Sequence, residues 1–155
     1  MNQYLQLKSK HAKEVSEFPM KFAFTPEQKI KGMKALGLNE NEEDKIYDIG
    51  AGGFIRTSDI GAYKELFKRH EEEIKEAIKQ DKTGEGFILQ MFRCELANHE
   101  YGYTEDLTET LECLDLDIDD INENENLKNG LCLALKEYEL VEEEEVDAEL
   151  WAIQM

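Results

Sequence analysis

The chain has 155 residues, of which 41% are hydrophobic, so it holds enough apolar material for one domain with a buried core. Its 36 acidic and 18 basic residues give a net charge of −18, which argues against direct binding to nucleic acid or to an anionic membrane. No apolar run approaches the roughly 20 residues of a membrane span, and no signal peptide opens the chain, so we expect a cytoplasmic protein.

The acidic charge is concentrated in the C-terminal part of the chain. Residues 1–94 hold 16 basic and 16 acidic residues, whereas residues 95–155 hold two lysines and 20 acids. Residues 1–36 are mildly basic, with seven lysines and three glutamates. The charge pattern therefore predicts a dipolar molecule whose negative end attracts basic surfaces.

The N-terminal third predicts helix, strand and helix in turn. Residues 2–16 read as an amphipathic helix. One face of that helix carries Tyr4, Leu7, Lys8, His11 and Val15. Residues 20–24 alternate after Pro19 and predict a short edge strand. Thr25, as N-cap, then starts a helix that we expect to end at Gly37.

The middle of the chain predicts a small sheet and two strong helices. Residues 45–56 read as a strand interrupted by the glycine segment 50–53, which indicates a bulge or hairpin. Ser58 or Asp59 can cap the next helix, whose apolar positions continue to Ile78. A second helix, around residues 87–96, is apolar on several sides, so we expect it at the centre of the fold.

The C-terminal part predicts two further helices, over residues 104–114 with Thr104 as cap and over residues 127–138. The fold class is therefore α+β and mostly helical, with five or six helices and a small two- or three-stranded sheet. We expect one globular domain over residues 1–140. Residues 141–155 read as an acidic tail that is either flexible or docked through Trp151.

Three sequence features bear on whether the chain has a ligand or metal site. The glycine segment 50–53 lacks the Lys-Ser/Thr ending of a phosphate loop and predicts a turn. Residues 115–120 begin like a calcium loop but lack its glycine and its final glutamate. Three widely spaced cysteines indicate reduced, buried thiols. These three cysteines are Cys94, Cys113 and Cys132. We predict no metal and no cofactor.

One polar cluster offers an alternative site. His99 and Glu100 lie in the most polar stretch of the middle of the chain, and Arg56 beside the glycine segment can bind an anion. A small enzyme or a protein that binds a metal or ligand would use these residues. His11 and His70 fall on apolar helical faces, where histidines more often belong to the core than to a site.

Three segments, residues 17–24, 49–56 and 95–101, resemble an uncharacterised family of small proteins from Gram-positive bacteria, their phages and their mobile elements. They read EFPMKFAF, IGAGGFIR and ELANHEY. The resemblance covers about residues 2–140. It implies an origin in such bacteria, phages or mobile elements but no activity.

Segments 18–19, 33–40 and 43–48 look like part of the antirestriction proteins of conjugative elements, which are acidic mimics of DNA. Neither resemblance assigns functional residues.

The favoured hypothesis is a protein of phage or mobile-element type that acts through protein–protein interaction rather than catalysis. Its acidic surface would occupy a basic, nucleic-acid-binding site on a host protein and so mimic DNA. The predicted surface comprises Glu105, Asp106, Glu109, Glu112, Asp115, Asp117, Asp119 and Asp120. Besides this hypothesis and the enzyme or ligand-binding alternative around His99, a third hypothesis is an accessory or assembly protein without chemistry of its own.

Overall fold

A computed structural model of the chain describes the backbone of residues 2–154 and the side chains of residues 2–139. Over this part it has the predicted mostly helical α+β architecture. The helices are α1 (Gln3–Glu17), α2 (Pro26–Ala35), α3 (Ile60–Gln80), α4 (Phe87–Asn98), α5 (Tyr101–Thr104), α6 (Thr108–Cys113), α7 (Ile118–Glu123) and α8 (Glu125–Gln154). The strands are β1 (Lys21–Phe22), β2 (Ile46–Gly50) and β3 (Gly53–Arg56).

The tertiary contacts divide the chain into two compact units. The larger unit comprises Met1–Lys8 and Ile74–Met155, and the smaller unit comprises Ser9–Glu73. Helices α1 and α3 contribute residues to both units. The prediction of a single domain over residues 1–140 stays a prediction.

The core of the larger unit is built around α4, as its apolar sequence predicts. Ile88, Met91 and Phe92 are fully buried. Tyr4 of α1 packs edge to face against Phe87, with ring centroids 5.6 Å apart. Apolar residues from the three C-terminal helices complete the cluster. They are Leu111 from α6, Ile121 from α7, and Leu127, Leu131 and Ala134 from α8.

The smaller unit contains the antiparallel sheet, in the order β1-β3-β2. The predicted edge strand is β1, and the central strand β3 buries Phe54 and Ile55. Thr25 caps α2 as expected, because its hydroxyl oxygen accepts the backbone N–H of Gln28 at 3.2 Å. Met33 of α2 and Leu36, the C-cap residue that follows this helix, pack against Phe54.

Two short helices, α5 and α7, go beyond the six predicted helical segments. The predicted cap at Thr104 is wrong, since Thr104 is the last residue of α5 and α6 begins at Thr108. The helix breaks here because Glu105 adopts a left-handed φ of 54°. The side chains of residues 140–155 lie outside the described part of the chain, so the prediction of an acidic tail over 141–155 stays a prediction.

The side chain of Asp81 organises the loop between α3 and α4. Its two carboxylate oxygens accept four backbone N–H groups, at distances of 2.9 to 3.2 Å. The donors are the amides of Thr83, Gly84, Gly86 and Ile88. Burial raises the pKa of Asp81, but these hydrogen bonds outweigh it and hold the pKa below the ordinary 3.8.

We expect Asp81→Asn to lower the free energy of unfolding by about 2 kcal/mol, because an amide supplies one acceptor oxygen instead of two. A lowered carboxyl pKa stabilises the fold above pH 3.8 and loses that effect as the pH falls through the folded-state pKa. The free energies of unfolding of the two proteins, measured with urea at several pH values, should therefore converge below pH 3.8. A difference that is constant with pH would contradict this role of the charge.

Candidate functional site

A buried glutamate lies at the centre of the larger unit. Glu95 follows Met91 and Phe92 by four and three residues on α4, so it shares their inward face. Its side chain is 1% exposed. A buried carboxylate is costly unless its oxygens are hydrogen-bonded, so its surroundings define a polar cluster inside an apolar core.

The two oxygens of Glu95 face different partners. Oε1 accepts hydrogen bonds from Tyr4 Oη and Lys8 Nζ, each at 2.6 Å. Oε2 accepts one from Cys113 Sγ at 3.3 Å and lies 3.5 Å from His99 Nε2. We call these five residues the Glu95 cluster. One side of the carboxylate is thereby fixed by α1, while the other faces a histidine and a thiol.

Electrostatics set the protonation states in the Glu95 cluster. Burial raises the pKa of Glu95, but hydrogen bonds from Lys8, Tyr4 and Cys113 outweigh it and lower the pKa overall. Burial, together with the hydrogen bond and charge of Glu95, raises the pKa of the Cys113 thiol. Burial and Glu95 likewise raise the pKa of Tyr4. At neutral pH, Glu95 is therefore ionised and Cys113 and Tyr4 carry their protons.

The protonation states of Glu95 and Cys113 limit the chemistry that the Glu95 cluster can perform. A thiol with a raised pKa is a poor nucleophile, so the arrangement disfavours catalysis by a cysteine thiolate. The three atoms Glu95 Oε2, His99 Nε2 and Cys113 Sγ offer oxygen, nitrogen and sulfur within a small volume. The three ligand atoms of these residues lie within 4.8 Å of one another.

The residues of the predicted alternative site belong to both compact units. His99 is partly buried and belongs to the Glu95 cluster. Glu100 is exposed and, with a left-handed φ of 56°, precedes α5. Arg56 lies in the smaller unit, where it donates to Asp59 at 2.7 Å and to the carbonyl of Leu36. Of the predicted trio, His99 alone joins the Glu95 cluster.

Sequence reasoning missed Glu95 and gave Cys113 the wrong environment. The signal for Glu95 was a single acid within the strongly apolar α4, followed by a histidine four residues later. The prediction that the cysteines are buried is wrong for Cys113 and Cys132, which are exposed, whereas Cys94 is partly buried. All three are free, as predicted. Although Cys113 is exposed as a residue, its Sγ reaches the buried carboxylate of Glu95.

All eight residues of the predicted acidic surface are exposed. Four have defined local roles. Asp117 and Asp120 cap α7 reciprocally through each other's backbone N–H groups. Asp106 accepts the N–H of Thr108 at 2.9 Å, and Glu109 Oε2 lies 3.7 Å from His99 Nδ1. In the described residues 2–139, no lysine or arginine forms an ion pair with any of the eight.

The remaining histidines lie in the smaller unit. His11 and His70 are buried and stacked, with ring centroids 3.9 Å apart. His11 Nε2 lies 2.9 Å from Glu73, and His70 Nε2 lies 3.2 Å from Glu14. The prediction of core histidines with partners is thus confirmed.

The glycine segment forms the predicted turn between β2 and β3. Positive φ angles occur at Gly50, Ala51 and Gly52, which suits a tight hairpin connection. A cavity of about 260 Å³ lies beside it, lined in part by Lys29, Asp48 and Gly53. Lys29 also pairs with Glu43 at 3.5 Å.

A family of unknown function, DUF7659, matches residues 3–137. The chain belongs to this family. The match has nearly the extent of the resemblance drawn over residues 2–140, and it includes every residue of the Glu95 cluster and of the predicted acidic surface. No curated protein and no solved structure matches the chain. In the described part of the chain, no helix combines the length and apolar character needed to cross a bilayer.

Proposed function

We propose that this protein acts by binding, through its acidic surface, a basic protein surface that otherwise holds nucleic acid. The observation that carries the proposal is the exposure of all eight predicted acids with no lysine or arginine paired to them among residues 2–139. Such a surface keeps its field where no lysine or arginine of residues 2–139 pairs with its acids. From Cys94 to Leu127 the sequence holds no lysine or arginine.

The physical argument for a basic partner rests on charge complementarity. Opposed charges steer association and discriminate against acidic or neutral partners, whereas DNA itself would be repelled. A partner that normally binds DNA presents a basic surface spaced for phosphates, which an array of carboxylates can occupy. An origin in phages or mobile elements is part of the proposal and rests on the sequence resemblance.

The test uses a variant in which four exposed acids become amides: E105Q, E112Q, D115N and D119N. It spares the capping residues and Glu109. A control variant, E40Q, D44N, E65Q and E72Q, changes the net charge by the same amount in the smaller unit, at positions that are also exposed. Both variants keep side-chain size, and asparagine tolerates the left-handed φ of residue 115.

Each protein is immobilised and exposed to a lysate of the host cell. We expect the wild type and the control to retain a basic, DNA-binding protein whose affinity falls at least about tenfold between about 50 and 300 mM salt. The four-acid variant should lose it, and added duplex DNA should release it from the wild type. Retention by the four-acid variant, or recovery of no basic protein at low salt, would contradict the proposal.

A second candidate function is favoured by a separate observation. The sequence offered an enzyme or a metal- or ligand-binding protein around His99 as an alternative. The proximity of His99 to Glu95 and Cys113 supports that alternative, because the three side chains bring an oxygen, a nitrogen and a sulfur atom together.

A further inference from the structure

Three donor groups of the Glu95 cluster lie close enough together to bind one metal ion, since their ligand atoms are within 4.8 Å of one another. Glu95 lies in the last turn of α4, His99 follows it by four residues as the C-cap of that helix, and Cys113 ends α6. Oε2 of Glu95 lies 3.3 Å from Cys113 Sγ and 3.5 Å from His99 Nε2. Bonds of 2.0 to 2.3 Å to a tetrahedral zinc ion place neighbouring ligand atoms about 3.3 to 3.6 Å apart.

We propose that Glu95 Oε2, His99 Nε2 and Cys113 Sγ bind a divalent transition-metal ion of the zinc class. Imidazole and thiolate select Zn²⁺ over Mg²⁺ and Ca²⁺, which prefer all-oxygen ligands. The site goes beyond the proposed binding of a basic partner and does not depend on it.

Outer contacts hold Glu95 in place, and a carboxylate lies near His99. Tyr4 and Lys8 occupy Oε1 of Glu95, which leaves Oε2 directed toward His99 and Cys113. Glu109 Oε2 lies 3.7 Å from Nδ1 of His99, on the opposite side of the ring from Nε2. A carboxylate in that position orients a metal-binding imidazole and fixes its tautomer.

Access and charge also suit a metal ion. Cys113 is exposed and the His99 side chain is 26% exposed, so an ion can reach the site from solvent. On binding, the Cys113 proton passes to solvent, and the thiolate and Glu95 carboxylate together balance the two positive charges of the ion. Three protein ligands leave a fourth tetrahedral position for water.

The test is a titration of the full chain, stripped with chelator and reduced, with Co²⁺ as a spectroscopic probe and Zn²⁺ as competitor. Excess Mg²⁺ is present to occupy the exposed carboxylates. We expect one equivalent of Co²⁺ to give visible d–d bands and a thiolate-to-cobalt charge-transfer band. Zn²⁺ should displace it with an apparent Kd below about 1 µM.

Variants identify the ligands. Cys113→Ser should remove the charge-transfer band, and both Cys113→Ser and His99→Gln should weaken zinc binding at least about 100-fold. Glu109→Gln should weaken it about tenfold through the imidazole. Cys132→Ser, at an exposed cysteine on α8, is the matched control and should bind as the wild type does.

Zinc should also raise the melting temperature of the wild type and of Cys132→Ser but not of Cys113→Ser. Far-UV circular dichroism establishes that each variant is folded; if one ligand variant fails to fold, the other decides. Absence of tight binding by the wild type overturns the proposal. So does an unchanged affinity or charge-transfer band in Cys113→Ser, or an unchanged affinity in His99→Gln.

Discussion

Gly84→Ala is expected to lower the free energy of unfolding by at least about 3 kcal/mol, the sum of a strained backbone and an overpacked contact. Gly84 has a φ of 85°, which disfavours any residue with a Cβ. An added Cβ would lie 2.2 Å from the carbonyl oxygen of Asn126 and 3.0 Å from the amide nitrogen of Gly130. Both atoms belong to the backbone of α8, so neither can rotate away.

Two other glycines separate the causes of this effect. Gly37 has a φ of 81° but no atom within 4 Å of an added Cβ, so Gly37→Ala should cost only the backbone term, about 1–2 kcal/mol. Gly61 lies in α3 with open space around it, so Gly61→Ala should stabilise the helix by about 0.5–1 kcal/mol. Urea unfolding measures all three. Equal costs for Gly84→Ala and Gly37→Ala would show that the close approach to α8 does not matter.

Glu95→Ala is expected to cost about 3–5 kcal/mol, because it empties a buried site and leaves its partners unsatisfied. The hydroxyl of Tyr4, which is 2% exposed, would lose its acceptor inside the core. Lys8 and Cys113 would lose theirs nearer the surface. Glu95→Gln keeps the volume and one acceptor oxygen, so it should cost less, about 1–2 kcal/mol.

The control is Glu137→Ala on α8. Glu137 pairs with Arg93, but both side chains are about half exposed, so its loss should change the free energy of unfolding by less than about 1 kcal/mol. Chemical unfolding followed by circular dichroism compares the three variants with the wild type. If Glu95→Ala costs no more than Glu137→Ala, the buried carboxylate does not hold α1 and α6 to α4.

Local sequence signals predicted most of the elements. Thr25 and Gly37 bound α2 because a hydroxyl cap and a left-handed glycine act within one turn of the chain. The apolar residues on several sides of residues 87–96 placed α4 at the centre, because most of the surface of such a helix is unfavourable in water. The break after α5 was missed because non-glycine residues rarely adopt the left-handed φ of Glu105.

Of the two candidate sites, the acidic surface was predictable from the sequence and the Glu95 cluster was not. Exposure of the acidic surface followed from the sequence, because ionised side chains without partners stay in water. The composition of the Glu95 cluster did not follow from the sequence, because its members lie far apart in the chain, from Tyr4 to Cys113. His99 was singled out with Glu100, its neighbour in sequence, whereas its partner in space is Glu95, one helical turn earlier.

The sequence by itself determined the mostly helical class, the small hairpin sheet, the central helix and the uneven charge. These depend on periodicity, capping and composition, which act over a few residues or over the whole chain. Only the tertiary structure decided that Glu95 is buried and that its free oxygen meets His99 and Cys113. That meeting depends on how α1, α4 and α6 pack, and packing between distant segments has no signature in the local pattern of residues.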